Sequence, residues 1–304
     1  PGLNFIFGVI LPLLAILIFI LCFVRKVWCW NKTPVPFCIP TTTGQQKSLP
    51  WIPQDKLGNP SDYGSVWRRM AAEIFLFRSL FRNVKAEVGP NGWIGYHFEK
   101  WLWLFAVLFH WSFLIVVIRH LRFFFAPTPD LILGLETVDG FLKLDLYPLY
   151  LSGILLLAGI TALYLRRVVI PQVSYISHGI DFIPLFLIAG IAVTGILLRY
   201  VWPTDVVAVK SMTMGWVTFH PVTPANISPL FFMHLTLVCA LLAWFPFGKL
   251  MHMGGIFFSP TRNQRANSRE IRHVNPWDYP VHTHTYSEYE DEFRDKMKGA
   301  GLPV

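Results

Sequence analysis

What most constrains this chain is a set of apolar segments long enough to cross a bilayer. A helix needs about 20 mostly apolar residues to span the hydrocarbon layer. Five stretches reach that length: Leu3 to Val24, Trp101 to Phe125, Tyr147 to Leu165, Phe182 to Val201 and Pro229 to Leu250. Composition agrees, with 54% hydrophobic and only 14% charged residues, where a soluble domain carries about 25% charged. Soluble and disordered classes are thereby excluded, and an all-α integral membrane protein with five transmembrane helices is expected. The first stretch is longer than the about 7 to 15 apolar residues of a signal peptide, so it reads as a retained span.

The net charge of +8 is read as topology, not as a sign of nucleic acid. Cytoplasmic loops carry the excess of Lys and Arg. With the N-terminus outside, 21 of these residues fall inside and five outside, the five being Arg119, Arg122, Lys143, Arg199 and Lys210. The C-terminus is then cytoplasmic. The chain divides into a first span (residues 1–24), a cytoplasmic loop (25–98), a four-helix core (99–260) and a cytoplasmic tail (261–304).

Within that loop, residues 30 to 64 are rich in Pro, Gly, Thr and Ser and read as irregular chain. From Trp67 to Val84, apolar residues interleave with Arg68, Arg69, Arg78 and Arg82. That pattern suits an amphipathic helix on an anionic membrane surface, or equally one packed on a partner protein. The tail from Ser259 loses its hydrophobic periodicity and is expected to be largely extended and held by a partner.

Cys22, Cys29, Cys38 and Cys239 form neither a C-x-x-C nor a C-x-x-C-H motif, so the chain alone builds no iron–sulfur cage and no covalent c-type haem site. The histidines are more informative, because an ionisable side chain inside a span is costly and functional by default. His110 and His120 lie ten residues apart in the second span, and His234 and His252 eighteen apart around the fifth. These separations rise about 15 and 27 Å along an α-helix. The two spans run in opposite directions, so His110 meets His252 toward the cytoplasm and His120 meets His234 toward the outer face. Each pair offers two neutral imidazoles across a helix gap, as axial ligation of a six-coordinate haem requires. Two haems b held by two matched pairs are the expectation. The rise mismatch is to be absorbed by tilt, imidazole reach or a bend near Pro246. His252, at or beyond the helix end, is the least secure ligand. His97, His178, His220, His273, His282 and His284 read as solvated or partner-facing.

The ten-residue spacing of His110 and His120 resembles the second span of the γ-subunit family of respiratory nitrate reductases, five-span membrane cytochromes b with two haems. So does the run Phe245-Pro246-Phe247-Gly248-Lys249-Leu250-Met251-His252 with His234 before it, and the inner loop Arg166-Arg167 followed by Pro171, Gly179 and Asp181. The similarity covers about Trp101 to Pro260. The longer first loop and the tail motifs Ser259-Pro260-x-Arg262-Asn263 and His273-Val274-Asn275-Pro276-Trp277 look like the cytochrome b subunits of sulfite-reductase-associated, heterodisulfide-reductase-like menaquinol oxidoreductases.

That resemblance implies a prokaryotic cytoplasmic-membrane protein that serves as the electron-transfer subunit of a menaquinol-oxidising complex in sulfur and sulfate energy metabolism. It further implies an iron–sulfur, heterodisulfide-reductase-like partner on the inner face. A multihaem cytochrome c, a periplasmic iron–sulfur protein and a second integral membrane subunit accompany it. Menaquinol or menaquinone is the implied substrate, and Lys143 stands where the family places a quinol-site lysine. Arg119 and Arg122 are further candidates there, although interfacial snorkelling explains them equally well. Two other classes remain: a cofactor-free membrane anchor, and a proton or small-solute transporter with a histidine relay. The transporter needs a polar pathway, yet the third and fourth spans offer little beyond Thr161 and Thr194.

Overall fold

The computed structural model describes residues 2–33, 51, 53, 55–144, 147–267 and 282–304. Most of the irregular stretch expected over 30–64, Cys38, His273 and the tail motif around Pro276 and Trp277 lie outside the described residues. Among the described residues, five helices are long and apolar enough to cross a membrane: Leu3–Asn31, Lys100–Phe124, Leu151–Val169, Gly179–Tyr200 and Pro229–Phe247. They are the five spans, and the chain is a multi-pass membrane protein.

The second span packs against the third, the third against the fourth, the fourth against the fifth and the fifth against the first. The bundle is thus an arc on which the second and fifth spans are not close neighbours. Its core is formed by Leu156 and Ile160 of the third span, Ile188 and Ala192 of the fourth and Leu241 of the fifth. Phe109, Phe113 and Val116 of the second span pack onto that cluster. Close approach of the second and third spans depends on Gly159, since a Cβ there would lie 3.1 Å from the Phe109 backbone. Only 11% of the second span's most apolar window is buried in the protein, so its remaining apolar surface is left to lipid and to the space facing the fifth span.

The connections hold more structure than the sequence patterns indicate. Helix Tyr63–Leu76 starts on Asp62, whose carboxylate accepts from the Ser65 amide at 2.9 Å. It buries Val66 and Met70 and exposes Trp67 and Phe75. The amphipathic helix expected from Trp67 to Val84 does not continue to Val84. Phe77 adopts a left-handed conformation at φ 50° and ends it, a short helix Arg78–Phe81 follows, and Val84 opens a strand. Strands β1 (Val84–Val88) and β2 (Ile94–Phe98) form an antiparallel hairpin with Val84 opposite Phe98.

Beyond the second span come a 3-10 turn Leu121–Phe124, a helix Asp130–Asp139 and a second hairpin of β3 (Leu142–Leu144) and β4 (Tyr147–Leu149). The third span therefore begins at Leu151, not at Tyr147 as its apolar run suggests, because Tyr147–Leu149 pairs as a strand. Helix Val206–Val217 precedes the fifth span and is tied to the first by the Trp216 indole, which donates to the Gly8 carbonyl at 2.9 Å. The tail is not wholly extended: Tyr286–Gly299 is a helix, started by a capping box in which Thr285 and Glu288 satisfy each other's amides. Its exposed, charged face gave no apolar period to read.

Gly159→Leu is expected to force the second and third spans apart at a cost of about 1–3 kcal/mol. Gly134→Leu, where a Cβ meets nothing within 4 Å, is expected to cost far less. Thermal unfolding in detergent compares the two.

Candidate functional site

The arc brings both histidine pairs together. The imidazole centroids of His110 and His252 lie 6.0 Å apart at 79°, and those of His120 and His234 lie 6.4 Å apart at 17°. The expected rise mismatch disappears for a local reason. The α-helical part of the fifth span stops at Trp244, and a 3-10 turn Phe245–Phe247 with Pro246 buried at its centre follows. Ten α-helical residues from His234 to Trp244 rise about 15 Å, as do the ten from His110 to His120. Gly248 is then extended, at φ −102° and ψ −178°, and the chain turns aside through Lys249–Met251 to His252. His252 thus lies beyond the α-helical span, as its position in the sequence implied.

Each imidazole has one nitrogen committed. Nδ1 of His110, His120 and His252 lies 2.7 Å from the carbonyls of Ala106, Val116 and Lys249 respectively. A carbonyl only accepts, so Nδ1 carries the proton and Nε2 keeps its lone pair. His234 Nδ1 lies 2.8 Å from Thr194 Oγ1. That hydroxyl already donates to the Gly190 carbonyl at 2.7 Å, which leaves it to accept from His234. Gly195 makes room for the ring, since a Cβ there would lie 3.3 Å from His234 Cε1.

Four imidazoles with Nδ1–H bound to protein oxygen and Nε2 left as donor form the arrangement seen in metal-ligating histidines. The spacing agrees. Two metal–imidazole bonds of about 2 Å and two ring radii of about 1.2 Å put trans imidazole centroids about 6.4 Å apart. The residues present therefore fit a bis-imidazole haem at each level. Among the described residues, no group of three His, Cys, Asp or Glu gathers to hold a metal ion by itself.

The surroundings fix the ligands. At the first level Phe77, which ends the preceding helix, and Phe109 each set a ring edge-on to His110 at 5.0 and 4.9 Å. The turn carrying His252 is anchored by Lys249, whose Nζ lies 2.6 Å from the buried Asp181 carboxylate at the start of the fourth span. Arg167 approaches the same carboxylate at 3.6 Å.

Beside His120 lies a buried ionic cluster. Arg119 donates to Asp139 at 2.7 Å, and Asp139 also accepts from the Ser152 amide and hydroxyl at 2.8 and 2.6 Å. The Arg119 guanidinium stacks 3.3 Å from the Tyr150 ring centroid. The Tyr150 hydroxyl donates to Glu136 at 2.5 Å, and Glu136 pairs with Arg122. Burial pushes that hydroxyl above its usual range, and the hydrogen bond to Glu136 raises it further.

Of the residues offered for a quinone, Arg119 and Arg122 are thus engaged by carboxylates. Lys143 is exposed on β3 and forms no hydrogen bond or ion pair among the described residues. The other described histidines stand apart: His97 lies 3.9 Å from Glu87, His178 caps the fourth span, His220 meets the Thr218 carbonyl, and His282 and His284 lie in the tail. The sequence reading missed Thr194, Phe77, Asp139, Glu136 and Tyr150. Only Thr194 carried a signal, as one of the few polar residues in its span.

A profile of the nitrate reductase gamma subunit family matches residues 94–264, which contain all four paired histidines. The chain belongs to that family. Two relatives are each named Hdr-like menaquinol oxidoreductase cytochrome b-like subunit. The one from Archaeoglobus fulgidus is 41% identical over 280 residues, covering 90% of this chain and 83% of the relative. The one from Archaeoglobus profundus is 41% identical over 275 residues, covering 88% and 81%. The family match begins at β2 and includes the second to fifth spans.

Arg119→Ala is expected to destabilise the protein by about 3–5 kcal/mol, because it leaves Asp139 buried without its counter-charge. Adding Asp139→Ala should cost less than the sum of the single changes. Unfolding midpoints of the four proteins in one detergent measure the coupling.

Proposed function

We propose that this chain is the membrane cytochrome b subunit of a menaquinol oxidoreductase, holding two haems b between its second and fifth spans. The observation that carries the reading is the double pairing of imidazoles at 6.0 and 6.4 Å, each with Nδ1 bound to oxygen. The family and the names of the two relatives support it.

His110 and His252 would hold one haem, and His120 and His234 the other. When bound, the two haems supply one-electron carriage across the membrane. The chain's own residues do the rest. The carbonyls of Ala106, Val116 and Lys249 and the Thr194 hydroxyl hold the ring tautomers and raise ligand basicity. The Asp181–Lys249 pair holds the turn that presents His252. Apolar spans exclude water.

In the orientation given by the Lys and Arg distribution, the N-terminus is outside and the C-terminus cytoplasmic, with the His120–His234 level toward the outer face. Menaquinol delivers electrons at that level and releases its protons outside. Lys143 is the residue the resemblance offers for holding a quinone oxygen. On the inner face, an iron–sulfur, heterodisulfide-reductase-like subunit accepts the electrons. The multihaem cytochrome c, periplasmic iron–sulfur protein and second membrane subunit complete a complex of sulfur and sulfate metabolism. The loop 25–98 and the tail 261–304 face the inner partner.

Purified protein is expected to contain two haems b per chain by pyridine haemochrome, and His234→Ala one. A preparation with no b-type absorption would instead make the chain a cofactor-free anchor. Thr194→Val should loosen one haem by about 10- to 100-fold, followed as dissociation to a haem scavenger, while the other is retained.

A further inference from the structure

The helix Val206–Val217 is apolar except for one charged residue, Lys210. At 12 residues it is too short to cross the hydrocarbon layer, which takes about 20. It packs on the Leu121–Phe124 turn that closes the second span, where the buried Thr213 donates to the Phe123 carbonyl at 2.6 Å. The helix therefore lies at an end of the bundle, at the depth where spans meet lipid headgroups.

Its two faces differ. Val209, Met212, Thr213 and Gly215 are buried in the protein. By the helical repeat, Val206, Val207, Lys210, Ser211 and Met214 share the opposite face, and they line an open groove of about 370 Å³. Arg122, Phe123 and Ala126 form its other wall. Val206 and Val207 are exposed, so an apolar path leads from the groove to the surrounding bilayer.

The charges leave the groove short of one anion. Lys210 Nζ donates to Thr128 Oγ1 at 3.2 Å, which fixes the ammonium at the groove instead of leaving it to snorkel toward water. That uses one of its three hydrogens, and no carboxylate pairs with it among the described residues. The nearest acid in the sequence, Asp205, is spent on the helix start, where it accepts from the Val207 and Ala208 amides at 2.9 and 3.0 Å. Arg122 is paired with Glu136. The exposed Ser211 hydroxyl forms no hydrogen bond among the described residues. One ammonium and one hydroxyl complement a phosphodiester, which carries a single negative charge and oxygens that accept. The apolar walls complement a hydrocarbon chain. A choline or ethanolamine head would bring another cation beside Lys210, so an anionic head fits better.

We infer that this groove binds one anionic phospholipid, with Lys210 and Ser211 on its phosphate and Val207, Phe123 and Met214 along the first part of a chain. The site is separate from the histidine pairs and stands whether or not they hold haem.

The test is photolabelling of the full chain in phosphatidylcholine vesicles by a trace of phosphatidylglycerol carrying a diazirine near the head of its chain, followed by peptide mapping. Label is expected in residues 121–126 and 206–214, competed by unlabelled phosphatidylglycerol and not by inorganic phosphate. The matching phosphatidylcholine probe should label these residues far less, a comparison that needs no variant. Lys210→Ala should lower labelling affinity about tenfold, the loss of one charge-assisted hydrogen bond, and Lys210→Arg should restore most of it. Val207→Trp, a change at an exposed position that fills the groove, should abolish labelling there. Equal labelling by the two probes, or labelling unmoved by Lys210→Ala, reduces the groove to ordinary lipid contact and overturns the inference. Displacement by inorganic phosphate makes it a free-anion site and overturns it equally.

Discussion

The structure depends on imidazoles that approach one another where two helices do not. The second and fifth spans are held apart by their places on the arc, and His110, His120, His234 and His252 extend into the space between them. Burying such side chains in an apolar bundle is unfavourable unless both ring nitrogens have a use. One nitrogen of each is satisfied by the protein itself, and three of the four use a carbonyl of the residue three or four positions earlier. Three of the ring orientations are thereby set by local backbone, while Gly159 lets the second span approach the third and Gly195 makes room for the His234 ring.

The fifth span shows how a helix can be matched to a shorter partner. Pro246 cannot donate an amide hydrogen bond, the α-helix stops two residues before it, and Gly248 turns the chain. Eighteen residues are thus fitted to a level spacing that ten residues set on the second span. The resulting turn is held by 3-10 and not α-helical hydrogen bonds, and the Asp181–Lys249 ion pair ties it to the fourth span. The ionic cluster of Arg119, Asp139, Arg122, Glu136 and Tyr150 does comparable work at the other end, anchoring the helix Asp130–Asp139 to the end of the second span and the start of the third.

The spans and the histidine pairs are legible in the sequence because each is a local property: apolar length for the spans, and two histidines carried by each of two antiparallel spans for His110 with His120 and His234 with His252. What is not legible depends on tertiary contacts. The left-handed Phe77 has no turn residue to announce it, and the hairpin β1–β2 is hidden because Val84 also fits a helical period. Tyr147–Leu149 is as apolar as the span it precedes, so only its pairing with Leu142–Leu144 separates strand from helix. Asp139 and Glu136 are ordinary acidic residues until Arg119, Arg122 and Tyr150 surround them.

The most direct measurement of the central claim is an experimental density map of the purified protein, read at the two histidine levels. The account requires a flat macrocycle at each, with its iron bonded to Nε2 of His110 and His252 at one and of His120 and His234 at the other. Continuous protein packing through either level, or an iron held by any other side chain, would contradict it.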